Sequence, residues 1–252
     1  MTTTKLQILR LGLMFFSFTA SNLLQDGLDL ALQGKEKKPD KMTDEEFAII
    51  DKKAKAADFD LTGQLVWPGA ELLNGYLTKN ANMLQGCSVI ELGSGVGITG
   101  VLCSRFCREV VMTDHNEEVL KILNKNIKLQ ESSDDSLCCA ELKAEKLEWG
   151  NSDQLNHILQ QRPEGFDLVL GEALSFQQAN VPLLFDTVEQ LFRGRDQSKC
   201  KFILGYVSRA KVMDAMVIDE AIRHGLQINE VSGTRCNIKN HEGVIFEIAT
   251  NH

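Results

Sequence analysis

The stretch Ser88-Val-Ile-Glu91-Leu-Gly93-Ser-Gly95-Val-Gly97-Ile-Thr-Gly100 constrains this 252-residue chain more than any other. An apolar run of strand length ends at an acidic residue, turns through closely spaced glycines and reopens as helix-compatible sequence. Glycine tolerates the backbone angles of a tight turn and lets a ligand approach the main chain. A helix starting there presents free N–H groups and the positive end of its dipole to an anionic group. Asp114 follows at the end of the next strand candidate, placed to accept hydrogen bonds from ribose hydroxyls. The stretch therefore calls for a strand–turn–helix unit with a ligand above the strand end.

The surrounding sequence supplies the rest of such a fold. Strand candidates fall at 88–92, 109–113, 137–142, 166–170, 201–207, 226–231 and 244–249, and helices fit between most of them. In the segment 116–130, Val119, Leu120, Leu123 and Ile127 recur at helical spacing, and 181–192 and 209–224 are also periodic. The 166–170 run is mostly apolar rather than alternating, as expected when helices cover both faces of a sheet. Only the polar loop 232–243 separates the last two strand candidates, which reads as an antiparallel pair at the sheet edge. The expectation is an α/β, Rossmann-like domain with a seven-stranded, mostly parallel sheet, helices on both faces and an antiparallel C-terminal edge pair.

Residues 1–41 read as an N-terminal extension closing in the charged linker 34–41, and residues 42–252 as the domain. Thr43 with Glu46 forms a capping box for a helix at 44–57, with Phe47, Ile50 and Ala54 on one face. A second helix starts at Pro68 and carries Leu72, Leu73, Tyr76 and Leu77. Lys5 and Arg10 precede an apolar stretch at 11–20, and no acidic residue appears before Asp26. Signal and transit peptides share that pattern, although Thr19-Ala20-Ser21 is a poor cleavage site. The stretch is too short and interrupted for stable membrane insertion. An extension that packs on the domain or stays mobile is the favoured reading, with a cytoplasmic protein expected and organellar targeting as the alternative.

A net charge of -8 disfavours nucleic acid as a partner and suits a basic protein surface. The seven cysteines include no C-x-x-C pair, and most sit in apolar runs where a reduced thiol behaves as a small hydrophobe. An odd number in a chain of this size points to a reducing compartment. The five histidines show no metal-ligand spacing, so no metal is expected.

The glycines alone leave the ligand open. Gly95-x-Gly97-x-x-Gly100 also satisfies the dinucleotide fingerprint, with Asp114 at a workable distance, so a nicotinamide dehydrogenase competes at this point. Helical sequence before the first strand weighs against it. So does Glu91 on the strand end, read as facing the ligand, where it would repel a pyrophosphate yet serve the ammonium of a methionyl group.

Thr62-Gly63, Val66-Trp67-Pro68, Glu91-Leu-Gly93-Ser-Gly95, Thr113-Asp114, Asn126-Ile127, Leu147-Glu148-Trp149-Gly150 and Phe166-Asp167-Leu-Val-Leu-Gly171 occur in this order. The series resembles the seven-strand class I methyltransferases, and specifically the family 16 group of protein-lysine methyltransferases of the methyltransferase-like 21 type. The resemblance covers residues 61–176 well and the remainder loosely. It implies an S-adenosyl-L-methionine cofactor and methylation of a lysine side chain on a protein substrate. It also implies that Trp67 lies beside the cofactor and that Glu91, Gly93 and Gly95 shape the methionine end. Asp114 would hold the ribose, Trp149 would flank the adenine with His115 at its border, and Gly171 would complete the cradle. For each tryptophan, core packing is the alternative.

Where the resemblance leads to Gly-Ala-Asp-x-x-Tyr, this chain has Gly171-Glu172-Ala173-Leu174-Ser175-Phe176. Phe176 matches the aromatic position, Ala173 stands where the acid is expected, and Glu172 comes one residue early. Neighbouring side chains in a strand point to opposite faces, so Glu172 does not simply substitute for the acid, although a backbone twist beyond the strand end would bring it round. Glu172 and Phe176 are the candidate catalytic residues. A cofactor-binding protein with little or no activity, a small-molecule methyltransferase and the dehydrogenase stand as competing readings.

Overall fold

The computed structural model describes residues 67–131, 140–173, 178–193, 200–208, 210–238 and 241–250. The helix expected at 44–57, the linker and Phe176 lie outside them. In chain order the elements are α1 (Pro68–Lys79), a 3₁₀ turn (Ala81–Leu84), β1 (Ser88–Leu92), α2 (Ile98–Cys103), β2 (Glu109–Asp114) and α3 (Glu117–Glu131). There follow β3 (Glu141–Lys146), α4 (Ser152–Gln160), β4 (Leu168–Ala173), α5 (Asn180–Arg193) and β5 (Lys201–Val207). The chain closes with α6 (Lys211–Arg223), β6 (Leu226–Glu230), β7 (Cys236–Ile238) and β8 (His241–Thr250).

Successive residues of the central strands enter two different cores. Val89 of β1, Val110 and Met112 of β2, Leu168 and Leu170 of β4 and Ile203 of β5 join Leu73, Leu77, Cys103, Leu123 and Ile127 on the face of α1, α2 and α3. Ile90, Leu92, Val111, Val169, Phe202 and Leu204 join Leu155, Phe185, Val188, Val217 and Ala221 on the face of α4, α5 and α6. A strand apolar at every position is what burial on both faces requires.

The sheet order is β3-β2-β1-β4-β5-β8-β6, with β7 paired to β8. The first five strands are parallel, and β8 runs antiparallel to both β5 and β6. The expected seven strands become eight, because Cys236–Ile238, read as part of a polar loop, pairs with β8 from Cys236↔Gly243 to Ile238↔His241. The strand expected at 137–142 is centred later, at Glu141–Lys146. Similarly, β4 continues past residue 170 to Ala173.

Two glycines set the spacing of helices on this sheet. A methyl group on Gly100 of α2 would sit 2.3 Å from Met112 Sδ of β2. One on Gly205 of β5 would meet the Gly69 carbonyl oxygen at 2.9 Å and Leu73 Cβ at 3.0 Å, so α1 rides directly on the β5 backbone.

Candidate active site

Gly93, Gly95 and Gly97, between β1 and α2, all have positive φ, at 76°, 52° and 87°. That conformation costs other residues energy and explains the glycine spacing. Polar residues fasten the loop to β2. Ser94 N–H donates to Thr113 O at 2.7 Å, Thr113 N–H donates to Ser94 Oγ at 3.0 Å, and Thr113 Oγ1 donates to Glu91 O at 2.7 Å. Asn126 of α3 reaches across to donate to Val96 O at 2.9 Å. Ser94, Thr113 and Asn126 carry no role in the sequence reading, although polar groups inside apolar runs were the available signal.

Glu91 is oriented differently from the expectation. It is 2% exposed and shares the face of Val89, and its Oε2 accepts the Gly100 N–H at 3.1 Å. The carboxylate thus lies beneath the loop and caps the first turn of α2 instead of facing a ligand. Burial pushes its pKa from 4.5 to about 7, against hydrogen bonds from Ser94, Thr99 and Gly100 that favour the charged form.

Asp114 ends β2 and is 7% exposed. Its Oδ2 accepts the Gly95 N–H at 3.2 Å, and its Oδ1 accepts the Asn116 N–H at 2.9 Å. His115, with a side chain 65% exposed, places Nδ1 3.4 Å from Asp114 Oδ1. Asn116 in turn accepts the Glu118 N–H at 2.9 Å and so starts α3.

Trp149 sits in a turn pinned from both sides. Glu148 N–H donates to Gln154 Oε1 at 2.7 Å, and Gly150 N–H donates to Thr187 Oγ1 of α5 at 2.8 Å. The indole packs against the α4–α6 core and lies so close to Gly93 that a methyl group there would be 3.3 Å from its Cζ2. Trp67, immediately before α1, packs partly on the opposite core. An open pocket of about 440 Å³ is lined by residues 148–153 and Leu183, flanking Trp149 on the α4 side.

Gly171 pairs with Leu92, and a methyl group on it would lie 3.0 Å from the Phe202 ring. Its bareness therefore makes room for the Phe202 ring in the core. One residue on, Glu172 pairs with Gly205 and falls on the face of Leu168, Leu170 and Glu91. Its Oε2 is shielded from solvent and has no hydrogen-bond partner among the described residues. Burial, with the Glu91 carboxylate as a second cause, pushes its pKa well above the ordinary range. β4 stays extended through Ala173, so the backbone does not bring Glu172 round to the face of position 173.

The lysine methyltransferase family matches residues 50–218, and the chain belongs to it. The chain is 34% identical over 127 residues to EEF1A lysine methyltransferase 3 of Xenopus tropicalis, covering 50% of this chain and 51% of that protein. It is 28% identical over 135 residues to protein-lysine N-methyltransferase EFM3 of Chaetomium thermophilum, covering 52% and 38%. To the calmodulin-lysine N-methyltransferase of Arabidopsis thaliana it is 27% identical over 148 residues, covering 58% and 46%. The chain thus spans about half or less of the length of these relatives. The methyltransferase domain of bacterial CtHen1-C shares the fold, with a TM-score of 0.53 at 12% identity over 72% of this chain and all of that one.

The cofactor of this family is S-adenosylmethionine, and the residues present fit it. The positive-φ glycines leave a bare main-chain cradle beside Trp149, and Asp114 holds a carboxylate at the rim. No helix among the described residues is long and apolar enough to cross a membrane.

Proposed function

We propose that this chain methylates a lysine side chain of a protein, with Asp114 on the cofactor ribose, Gly93 and Gly95 along its methionine end and Trp149 against its adenine. Trp67 borders the cofactor from the α1 side, and His115 lines the adenine rim. Bound S-adenosylmethionine supplies an electrophilic methyl carbon on a sulfonium.

The carrying observation is Glu172. Leu92 pairs with Gly171, so Glu172 stands level with Gly93 at the start of the cradle, with an unpartnered carboxylate oxygen. A lysine ammonium, with a pKa of about 10.4, has to lose a proton before its nitrogen attacks. From the face it shares with Glu91, and not from the place of the acid expected at 173, Glu172 would receive the ammonium as an ion pair, align the nitrogen and take or relay its proton. A base so placed contributes about 10²-fold or more, and alignment supplies much of the remainder. Phe176, which matches the family's aromatic position, is the second candidate residue for the methyl-transfer site.

The net charge of -8 supports a basic protein partner over nucleic acid. Cys103, Cys107 and Cys200, buried as thiols, support a reducing compartment such as the cytoplasm. Residues 42–252 form the catalytic domain and residues 1–41 an extension to it, a division supported by the family match starting at residue 50.

The test is transfer of radioactive methyl from S-adenosylmethionine into a cell lysate, followed by mass spectrometry of the labelled protein. Methyl-lysine on a protein is the expected result. Label confined to small metabolites, or cofactor binding without any labelled acceptor, overturns the reading.

A further inference from the structure

Away from the cradle, α5 and the end of α6 bring three carboxylates around one imidazole. His224 caps α6, and its side chain is 12% exposed with its ring stacked on Phe185 at 6.3 Å between centroids. Its Nδ1 lies 2.8 Å from Glu189 Oε2. With Nδ1–H donating in this contact, Nε2 offers a lone pair whenever the ring is neutral. Nε2 faces Asp186 Oδ1 at 3.6 Å and Glu220 Oε2 at 3.8 Å, both too long for hydrogen bonds.

The surrounding cations use the other oxygens. Arg193 pairs with Glu189 Oε1, and Arg223 pairs with Glu220 Oε1 at 2.9 Å. Each glutamate therefore turns its Oε2 inward to the ring. Glu220 has a side chain 6% exposed, and its Oε2 has no hydrogen-bond partner among the described residues. A buried carboxylate oxygen without a donor is costly unless something positive meets it.

We propose that this cluster is a binding site for one divalent transition cation of the zinc type, held by His224 Nε2, Asp186 and Glu220. In a tetrahedral site with bonds of about 2.0–2.1 Å, neighbouring ligand atoms stand about 3.3–3.5 Å apart. The two imidazole-to-carboxylate separations, 3.6 and 3.8 Å, each exceed this by only a few tenths of an ångström. Glu189 fills the supporting place, since a ligating histidine usually gives its other N–H to a carboxylate. The nitrogen ligand favours zinc-like ions over calcium or magnesium, which prefer oxygen alone. One ligand atom each from Asp186, Glu189 and His224 lies within 4.8 Å of the others, so the α5 carboxylates and the imidazole already converge. The bound cation ties α5 to the end of α6 and leaves the methyl-transfer site untouched.

The experiment uses the full chain, stripped with a chelator and titrated with Zn²⁺ by calorimetry and with Co²⁺ by visible absorption. One equivalent is expected to bind, raise Tm and give d–d bands without a thiolate charge-transfer band. His224→Gln should weaken Zn²⁺ binding at least ~100-fold, and Glu220→Gln and Asp186→Asn about 10-fold or more. Asp186 is half-exposed, so its variant reports on the site with little risk to folding. Binding that is equally tight in His224→Gln, a thiolate band with Co²⁺, or no uptake of either ion overturns the proposal.

Discussion

Asp114 Oδ2 accepts the backbone N–H of Gly95 at 3.2 Å, so the acid that ends β2 also fixes the loop that ends β1. In the proposed binding mode, one connected piece of structure would hold both the ribose and the methionine ends of the cofactor. Asp114→Ala should weaken S-adenosylmethionine binding by about 1–3 kcal/mol through lost charge-assisted hydrogen bonds and a loosened turn. Calorimetry with the cofactor checks this, and unchanged affinity would place the ribose elsewhere.

Glu172→Gln keeps the shape of the site and removes the proposed base. Turnover should fall about 10²-fold with cofactor affinity unchanged. Because burial raises the Glu172 pKa and only the ionised form takes a proton, the wild-type rate should climb with pH above the ordinary carboxylate range. The variant should lose that limb of the profile. A large loss of cofactor affinity with turnover retained would instead assign Glu172 to the methionyl ammonium.

Glu91 makes stability depend on pH. Its pKa is about 7 in the folded chain against 4.5 for the free group, so the folded state binds more protons between these values. Its stabilising contribution is complete below pH 4.5 and is lost as pH rises through about 7. A shift of this size corresponds to on the order of 3 kcal/mol. Glu91→Gln keeps an oxygen for the Gly100 N–H. Its denaturant midpoint should be flatter between pH 5 and 8 (roughly the span of the shift) and higher than wild type at the alkaline end.

Gly100→Ala should destabilise the domain by about 1–3 kcal/mol, because the added methyl collides with Met112 at 2.3 Å. Shortening the obstacle in Gly100→Ala/Met112→Ala should remove the collision. A double mutant whose combined loss merely equals the sum of the single losses would show that the two positions do not conflict.

Legibility in the sequence followed the local physics of each segment. β1 is buried at every position and β5 at all but Lys201, and their bounds coincide with the runs at 88–92 and 201–207. β3 is Glu-Leu-Lys-Ala-Glu-Lys at a sheet edge, with only Leu142 buried, so its pattern resembles a solvated segment. β7 has three residues and exists only through its pairing with β8, which no local pattern encodes. The glycine turn and Asp114 were readable because sterics and charge act within a few residues. The turning of Glu91 under α2 was in principle readable too, since it shares the strand phase of buried Val89. Asp186, Glu189, Glu220 and His224 span two helices and have no common motif; only packing assembles them.

Gly205 gives the mouth of the site a fixed datum. Because the Gly69 carbonyl approaches within 2.9 Å of where a side chain would begin, α1 and β5 meet main chain to main chain. Side chains can trade volume with their neighbours, but two backbones in contact have nothing to trade. Trp67, at the head of α1, therefore inherits its height above the strand ends from a missing methyl group. In the proposed binding mode, the tryptophan beside the cofactor therefore keeps its level whatever its neighbours do.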